Sequence, residues 1–174
     1  MLEDQGPRKV LRVGVCGSRW WGDDPLQKKA VIDLVDDLPC GTVVVHGAAR
    51  GADTAVGNAV RKRVALFYAD GLREERHPAE WGKYGKAAGP RRNGEMARSG
   101  LGHLYAFRLP GHSPGTDDMI RQSLDAGVPV TLFRAVVNAA GKTLEVTRED
   151  LEPGVSLSWA GPSRGPSTDY EPPF

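Results

Sequence analysis

A run of β-branched residues that passes directly into a glycine-rich loop constrains the fold of this chain more than any other feature. Residues 42–45 are Thr-Val-Val-Val, and such a run without polar alternation is typical of a parallel strand buried on both faces. Residues 46–51, His-Gly-Ala-Ala-Arg-Gly, follow, and Ala and Val then recur at helical spacing to residue 60. A strand, a glycine loop and a helix N-terminus hold phosphate in many proteins, because backbone N–H groups converge there. In other α/β proteins such a glycine only makes the turn, so both interpretations stay open.

Strand-like and helix-like segments alternate along most of the chain. We predict strands over residues 10–16, 42–45, 64–69, 103–109 and 128–133, and a surface loop over residues 71–80. Helices are predicted at four places: from Pro25, with Asp24 as N-cap, to residue 38; from Ala52 onward; from Pro90 to about residue 98; and over residues 117–126.

This alternation favours a parallel sheet with right-handed crossovers. The predicted fold class is therefore α/β: a Rossmann-like, doubly wound, mostly parallel five-stranded sheet. Residues 136–138 and 143–146 flank Ala-Ala-Gly-Lys and predict a small C-terminal hairpin on the sheet edge.

The 174 residues predict one domain, over residues 10–151, between a flexible arm of residues 1–9 and a flexible tail. The tail, residues 152–174, holds five of the 13 prolines. A net charge of +1 makes nucleic acid an unlikely partner. With neither a signal-like nor a membrane-spanning segment, we expect a cytoplasmic protein that contacts no membrane, with Cys16 and Cys40 reduced.

Three glycine-bearing loops follow predicted strands, at residues 17–19, 47–51 and 111–116. In an open parallel sheet all three emerge at the carboxyl edge. If the strand order is 3-2-1-4-5, the first and fourth strands are neighbours at the switch point where ligands bind. Arginine side chains and hydroxyl groups there suit a phosphate-bearing ligand. Trp20 and Trp21 are expected to form an apolar wall. The candidate ligand-binding residues are Gly17, Ser18, Arg19, His46, Gly47, Arg50, Gly51, Asp53, Trp81, Tyr84, Arg92, Asn93, Gly111, Ser113, Gly115 and Thr116.

Several candidates have a structural interpretation beside the functional one. Asp53 either caps the second helix or accepts a hydrogen bond from a ribose hydroxyl. His46, at the end of a buried strand, is either a structural histidine or a base. Trp81 and Tyr84 either stack on a nucleobase or pack beside the sheet edge. The four histidines are scattered, without His-x-x-His or Cys-x-x-Cys spacing, so we predict that neither a metal ion nor another cofactor is required.

Four motifs of this chain together resemble the YspA-like branch of the SLOG superfamily. They are Gly17-Ser18-Arg19, residues 46–53, residues 81–93 and Gly111-x-Ser113-x-Gly115-Thr116, and the resemblance covers about residues 10–134. The superfamily has a Rossmann-like fold and includes the LOG phosphoribohydrolases that activate cytokinins and the DprA DNA-processing proteins. The resemblance implies a site for a nucleotide or a nucleotide-derived small molecule, and a homodimer or larger homo-oligomer.

The chain departs from the LOG enzymes where their catalytic glutamate stands. Their motif is Pro-Gly-Gly-x-Gly-Thr-x-x-Glu, whereas here the glutamate position is Met119, whose thioether cannot take a proton. Asp118 lies one residue earlier, about 100° around a helix. Arg92 matches an arginine of the hydrolases but stays protonated.

The leading hypothesis is therefore a protein that senses or sequesters a nucleotide-derived signalling molecule, such as an ADP-ribose-like compound or a nucleoside phosphate. One alternative is a nucleotide N-glycosidase or phosphoribohydrolase of the LOG type that uses Arg92 and Asp118. A second alternative is DprA-like binding of single-stranded DNA, which fits poorly with the small net charge.

Overall fold

The computed structural model describes residues 10–68, 70–155 and 157, and it contains the predicted alternation of strands and helices. The strands are β1 (Arg12–Gly17), β2 (Val43–His46), β3 (Arg73–Arg76), β4 (His103–Arg108), β5 (Val130–Val137) and β6 (Thr143–Leu151). The helices are α1 (Pro25–Asp37), α2 (Ala52–Leu66), α3 (Trp81–Tyr84), α4 (Ala88–Ala97) and α5 (Pro114–Asp125), with a 3-10 turn at Gly85–Ala87.

One sheet with the order β3-β2-β1-β4-β5-β6 organises these elements. The first five strands are parallel, and β6 runs antiparallel to β5. This is a Rossmann-like α/β fold, as predicted, and its first five strands have the order 3-2-1-4-5, with a third strand other than the predicted one. The loops after β1, β2 and β4 consequently emerge at one edge of the sheet, with β1 and β4 side by side at the switch point.

Each face of the sheet has its own apolar core, because successive side chains of a strand point to opposite faces. Val44 of β2 packs with Val35 of α1 and Val56 of α2. Its neighbour Val45 packs on the other face in a core that includes Met119 of α5. Burial on both faces explains why β1, β2 and β4 have nearly continuous apolar sequences.

Helix α1 begins and ends for local reasons. The Asp24 carboxylate accepts a hydrogen bond from the Leu26 N–H at 2.8 Å, and Pro25 occupies the first helical position. The helix ends at Asp37, two residues before Pro39, because the residue that precedes a proline is disfavoured in helical conformation. The predicted N-cap and first residue are confirmed.

The third predicted strand, residues 64–69, is wrong. Helix α2 continues to Leu66, and Leu66, Phe67 and Tyr68 are exposed rather than buried in the sheet. The third strand is Arg-Glu-Glu-Arg of β3, inside the segment predicted as a surface loop. A charged sequence suits this position, because β3 lies at the sheet edge and its side chains form ion pairs with neighbouring elements.

The predicted small hairpin is larger and belongs to the sheet. Strands β5 and β6 pair over most of their length, so the sheet has six strands rather than five. Helix α4 begins at Ala88 and α5 at Pro114, two and three residues before the predicted starts. The predicted arm and nearly all of the predicted tail lie outside the described residues.

Candidate functional site

Three hydroxyl groups form a hydrogen-bonded chain where β1 and β4 end side by side. The Leu109 N–H donates to Ser18 Oγ at 3.0 Å, Ser18 Oγ lies 3.1 Å from Ser113 Oγ, and Ser113 Oγ donates to Thr116 Oγ1 at 3.0 Å. Each hydroxyl has one hydrogen to donate. Ser18 therefore donates to Ser113, and the Thr116 hydrogen is not used within this chain of hydroxyls.

The hydroxyl chain leads to the N-terminus of α5. Helix α5 begins at Pro114, and the Ser113 side chain does not cap it. The N–H groups of Gly115 and Thr116 lie in the first turn, where backbone donors have no partner within the helix and the helix dipole favours negative charge. No described atom lies within 4 Å of a Cβ built on Gly111 or Gly115. This segment, the β4 loop (residues 109–116), is therefore open on its outer side.

Arg108 holds the β4 loop from the protein side, and the sequence analysis missed it. Its guanidinium donates to the Asp117 carboxylate at 2.8 and 3.2 Å and to the Gly111 carbonyl at 3.0 Å. The signal was an arginine at the end of a strand with an aspartate nine residues later. The pair closes the loop between them.

The β2 loop (residues 47–51) is packed against the protein instead. Arg92 Nη1 donates to the carbonyl oxygens of Gly47 and His77, at 2.6 and 3.1 Å. A Cβ on Gly47 would lie 1.8 Å from that nitrogen. At Gly51, which has a φ of +86°, a Cβ would lie 2.3 Å from the Ser18 carbonyl oxygen. These glycines make room for protein groups.

Gly17 likewise serves a close approach within the protein. A Cβ there would lie 2.5 Å from the Ala52 Cβ and 2.5 Å from the Phe107 carbonyl oxygen. The end of β1 is therefore in contact with the N-terminus of α2 and with β4. This contact holds Ser18 in its place at the switch point.

His46 is 2 % exposed, and both of its ring nitrogens are engaged. Nδ1 accepts from the Ala48 N–H at 3.1 Å, so the proton is on Nε2, which donates to Glu74 at 2.9 Å. Burial acts to raise the pKa of Glu74, but hydrogen bonds from Arg61 and His46 outweigh it and lower the pKa below its ordinary value. This geometry favours a structural histidine.

Asp53 lies in the first turn of α2, but Gly51 occupies the N-cap position. The buried Asp53 carboxylate accepts from the Ala49 N–H at 3.2 Å. Burial raises the pKa of Asp53, although the hydrogen bond from Ala49 opposes this change. Asp53 thus hydrogen-bonds to the backbone of the loop that precedes α2. This contact is a local structural one, although Asp53 is not the N-cap residue itself.

Asn93 connects the two loops. Its Oδ1 accepts from Arg92 Nε at 3.0 Å, and its Nδ2 donates to the Gly115 carbonyl at 3.2 Å. The same amide donates to Asp118 at 2.9 Å, and Gln122 donates to that carboxylate at 2.8 Å. Asn93 therefore sets the position of α5 relative to the arginine that fills the β2 loop.

Asp118 and Met119 have surroundings that bear on catalysis. The Asp118 carboxylate accepts hydrogen bonds from Asn93 and Gln122 and pairs with Arg121. Met119 is fully buried in the core on that side of the sheet. The position that corresponds to the LOG glutamate is thus part of the apolar interior.

The two adjacent tryptophans have different surroundings, so the prediction that both form a pocket wall is half wrong. Trp21 is 2 % exposed and packs 5.1 Å from Phe107, measured between ring centroids. Trp20 is 62 % exposed, with the Arg50 guanidinium 3.9 Å from its ring centroid. Trp20 and Leu109 line a cavity of about 490 Å³ at the carboxyl edge.

Trp81 and Tyr84 lie on α3, on a different segment from the three hydroxyl residues. The Trp81 ring lies 3.2 Å from a Cβ built on Gly89. The Tyr84 ring is covered by Arg91 and Lys83, at 4.3 and 4.9 Å from its centroid. These contacts favour packing over stacking on a nucleobase.

Among residues 10–68, 70–155 and 157, no group of three His, Cys, Asp or Glu side chains is placed to hold a metal ion. Within those same residues, no helix is long and apolar enough to cross a membrane. Cys16 and Cys40 are free thiols, and burial raises the pKa of Cys16 well above its ordinary value.

The chain is similar to the gene 61 protein of Mycobacterium phage D29. The two are 40 % identical over 131 residues, which cover 71 % of this chain and 97 % of the phage protein. This chain belongs to the family of that phage protein. No family model matches the chain. The name of the phage protein states neither a ligand nor a reaction, so the function is argued from the site.

Proposed function

We propose that this protein binds a nucleotide or nucleotide-derived signalling molecule, an ADP-ribose-like compound or a nucleoside phosphate, and acts as a sensor or a sequestering protein. The observation that carries the proposal is the hydroxyl chain of Ser18, Ser113 and Thr116 beside the open N-terminus of α5. Hydroxyl and backbone N–H donors at a helix N-terminus are suited to phosphate oxygens. The resemblance to the SLOG superfamily agrees with this ligand class.

The arginines at the carboxyl edge differ in whether they are available to an anionic ligand. Arg19 and Arg50 are exposed on the loops after β1 and β2. Arg92 instead donates to two carbonyl oxygens and to Asn93, so we assign it to positioning the β2 loop. The phosphate of the ligand would therefore bind at the β4 loop, beside the exposed Gly111 and Gly115.

Binding without hydrolysis fits the site better than glycosidase chemistry. A general acid needs a carboxyl group that can reach the leaving group. Here Met119 is in the core, and the Asp118 carboxylate is held by three side chains. We also propose, from the resemblance alone, a homodimer or larger homo-oligomer, which light scattering on the purified protein would test.

The test is calorimetry and thermal unfolding with ADP-ribose, cyclic ADP-ribose isomers, NAD and nucleoside monophosphates. A ligand at 100 times its dissociation constant raises the free energy of unfolding by about 2.7 kcal/mol. Thr116→Val removes a hydroxyl of the site and is expected to weaken binding about tenfold. Thr42→Val is the matched control, because the Thr42 hydroxyl donates to Pro39 before β2, at the opposite edge of the sheet.

Four results would contradict the proposal. If no compound of this panel stabilises the protein, or if both threonine variants bind equally well, the site is wrong. Release of free base that is lost in Asp118→Asn would establish the N-glycosidase alternative. Tight binding of single-stranded DNA that weakens steeply with salt would establish the DNA-binding alternative.

A further inference from the structure

We propose that the cavity beside Trp20 is the subsite for the nucleobase of the ligand, and that it selects a base with an amino group. The inference rests on the proposed function. The cavity is shallow and open to solvent, and it has a volume of about 490 Å³. It adjoins the hydroxyl chain through Leu109, which lines the cavity and donates its N–H to Ser18.

The walls of the cavity suit a flat aromatic ring. Trp20, Leu109 and Pro110 provide apolar surface, and Trp20 is 62 % exposed. The Arg50 guanidinium 3.9 Å from the indole centroid restricts the orientation of that ring by a cation–π contact. An indole held in this way stacks on a base at little further cost in side-chain entropy.

The polar groups of the cavity give the ligand its orientation. Asp23 and Asp24 both line it, so a phosphate group would be repelled there. Asp24 is occupied, because its carboxylate accepts from the N–H groups of Leu26 and Thr143 at 2.8 and 3.2 Å. Asp23 is exposed at the rim. The Asp23 carboxylate can accept a hydrogen bond from the exocyclic amino group of adenine.

Gln27 makes the floor of the cavity rigid. Its Oε1 accepts from the Gly22 N–H at 2.9 Å, and its Nε2 donates to the Thr143 hydroxyl at 2.8 Å. The side chain is 4 % exposed and so is fixed before any ligand arrives. A pre-formed cavity at one end and phosphate donors at the other place the base at Trp20 and the phosphate at Thr116.

The experiment compares AMP with ribose 5-phosphate, which has the same sugar and phosphate but no base, by calorimetry on the full chain. AMP is expected to bind the wild type at least tenfold more tightly than ribose 5-phosphate. Trp20→Ala should lower the affinity for AMP about tenfold and change the affinity for ribose 5-phosphate less than twofold. Trp20→Phe should retain most of the affinity for AMP. Because Trp20 is largely exposed, all three proteins should have similar melting temperatures.

Two controls test the position and the selectivity of the subsite. Trp81→Ala removes the other exposed tryptophan of the described residues and should change the affinity for neither AMP nor ribose 5-phosphate. Asp23→Asn should weaken AMP several-fold and leave IMP, which lacks the amino group, unchanged. If Trp81→Ala weakens AMP and Trp20→Ala does not, the base binds at α3 and the proposal is overturned.

The remaining outcomes separate this proposal from the proposed function. If AMP and ribose 5-phosphate bind the wild type equally and Trp20→Ala changes neither, the base subsite is rejected while phosphate binding stands. If neither compound binds the wild type but another compound of the panel does, the subsite as argued here is rejected and the proposed function stands. If no compound of the panel binds, both are rejected.

Discussion

The β2 loop and the β4 loop each carry two glycines after a strand of the same sheet, but the protein fills only the first. The space beside Gly47 holds the Arg92 guanidinium, and Gly51 lies against the Ser18 carbonyl. No described atom lies within 4 Å of a Cβ built on Gly111 or Gly115. The same sequence pattern therefore supports protein packing in one loop and leaves room for a ligand in the other.

The largest effect should come from Gly51→Ala compared with Gly111→Ala. Both residues have positive φ, +86° and +91°, so an alanine is strained at either position, by about 1–2 kcal/mol in the left-handed helical region. At Gly51 the ψ of −124° lies outside that region, so the strain there is larger. Only Gly51→Ala also drives a Cβ to 2.3 Å from a backbone oxygen, and we expect a total loss of more than about 3 kcal/mol or failure to fold. Urea unfolding measures the difference, and equal losses would contradict the comparison.

A second pair tests the comparison without positive φ. Gly47→Ala displaces the Arg92 guanidinium from two carbonyl oxygens and should cost about 2 kcal/mol. Gly115→Ala places a methyl group in open space and should change stability by less than about 0.5 kcal/mol. Urea unfolding of the two variants checks this expectation. A large loss in Gly115→Ala would show that the β4 loop is packed after all.

Strand β3, which pairs with β2 at the sheet edge, is held by ion pairs. The stability of the protein should therefore depend on pH. Hydrogen bonds from Arg12 and His77 lower the pKa of Glu75 from 4.5 to about 2. A lowered pKa stabilises the fold above pH 4.5, and this contribution is lost as the pH falls towards 2. Because the Glu75 side chain is 36 % exposed, solvent screening reduces the contribution to about 1 kcal/mol.

Urea unfolding of wild type and Glu75→Gln at several pH values measures that contribution. The difference between the two proteins should be about 1 kcal/mol near pH 7 and should shrink steadily below pH 4.5. Thr116→Val, on the side of the β4 loop, removes no charge, so its effect on stability should be the same at each pH. A pH-independent effect of Glu75→Gln would rule out the ion pair as its source.

The smallest effect concerns metal ions at the β4 loop. Binding there is attributed to hydroxyl and N–H donors, so affinity for AMP in excess EDTA and with added magnesium or zinc should agree within about threefold, roughly 0.7 kcal/mol. Calorimetry under the three conditions makes the measurement. A tenfold loss on chelation would indicate a metal site, and His112→Ala would then be the first variant to examine.

Elements with a local cause were predictable from sequence, and elements defined by their neighbours were not. Asp24 and Pro25 fix the start of α1 through bonds within a few residues. Residues 64–67 have a sequence typical of a strand, yet α2 continues to Leu66, and Arg73–Arg76 forms the edge strand because β2 provides a partner. The difference arises because strand pairing is non-local and an edge position accepts charged side chains.

The candidate site divides in the same way. Sequence alone placed three glycine loops at one sheet edge, because the alternation of strands and helices favours parallel strands whose carboxyl ends share an edge. The sequence also has Met119, which carries no acid, at the position that the resemblance aligns with the glutamate of the LOG enzymes. Which loop is open was decided by the tertiary structure, where Arg92 reaches across from α4 to fill the space at Gly47. Long-range side-chain contacts of this kind leave no periodic signal in the sequence, so only the packed structure separates glycines that admit protein from those that face open space.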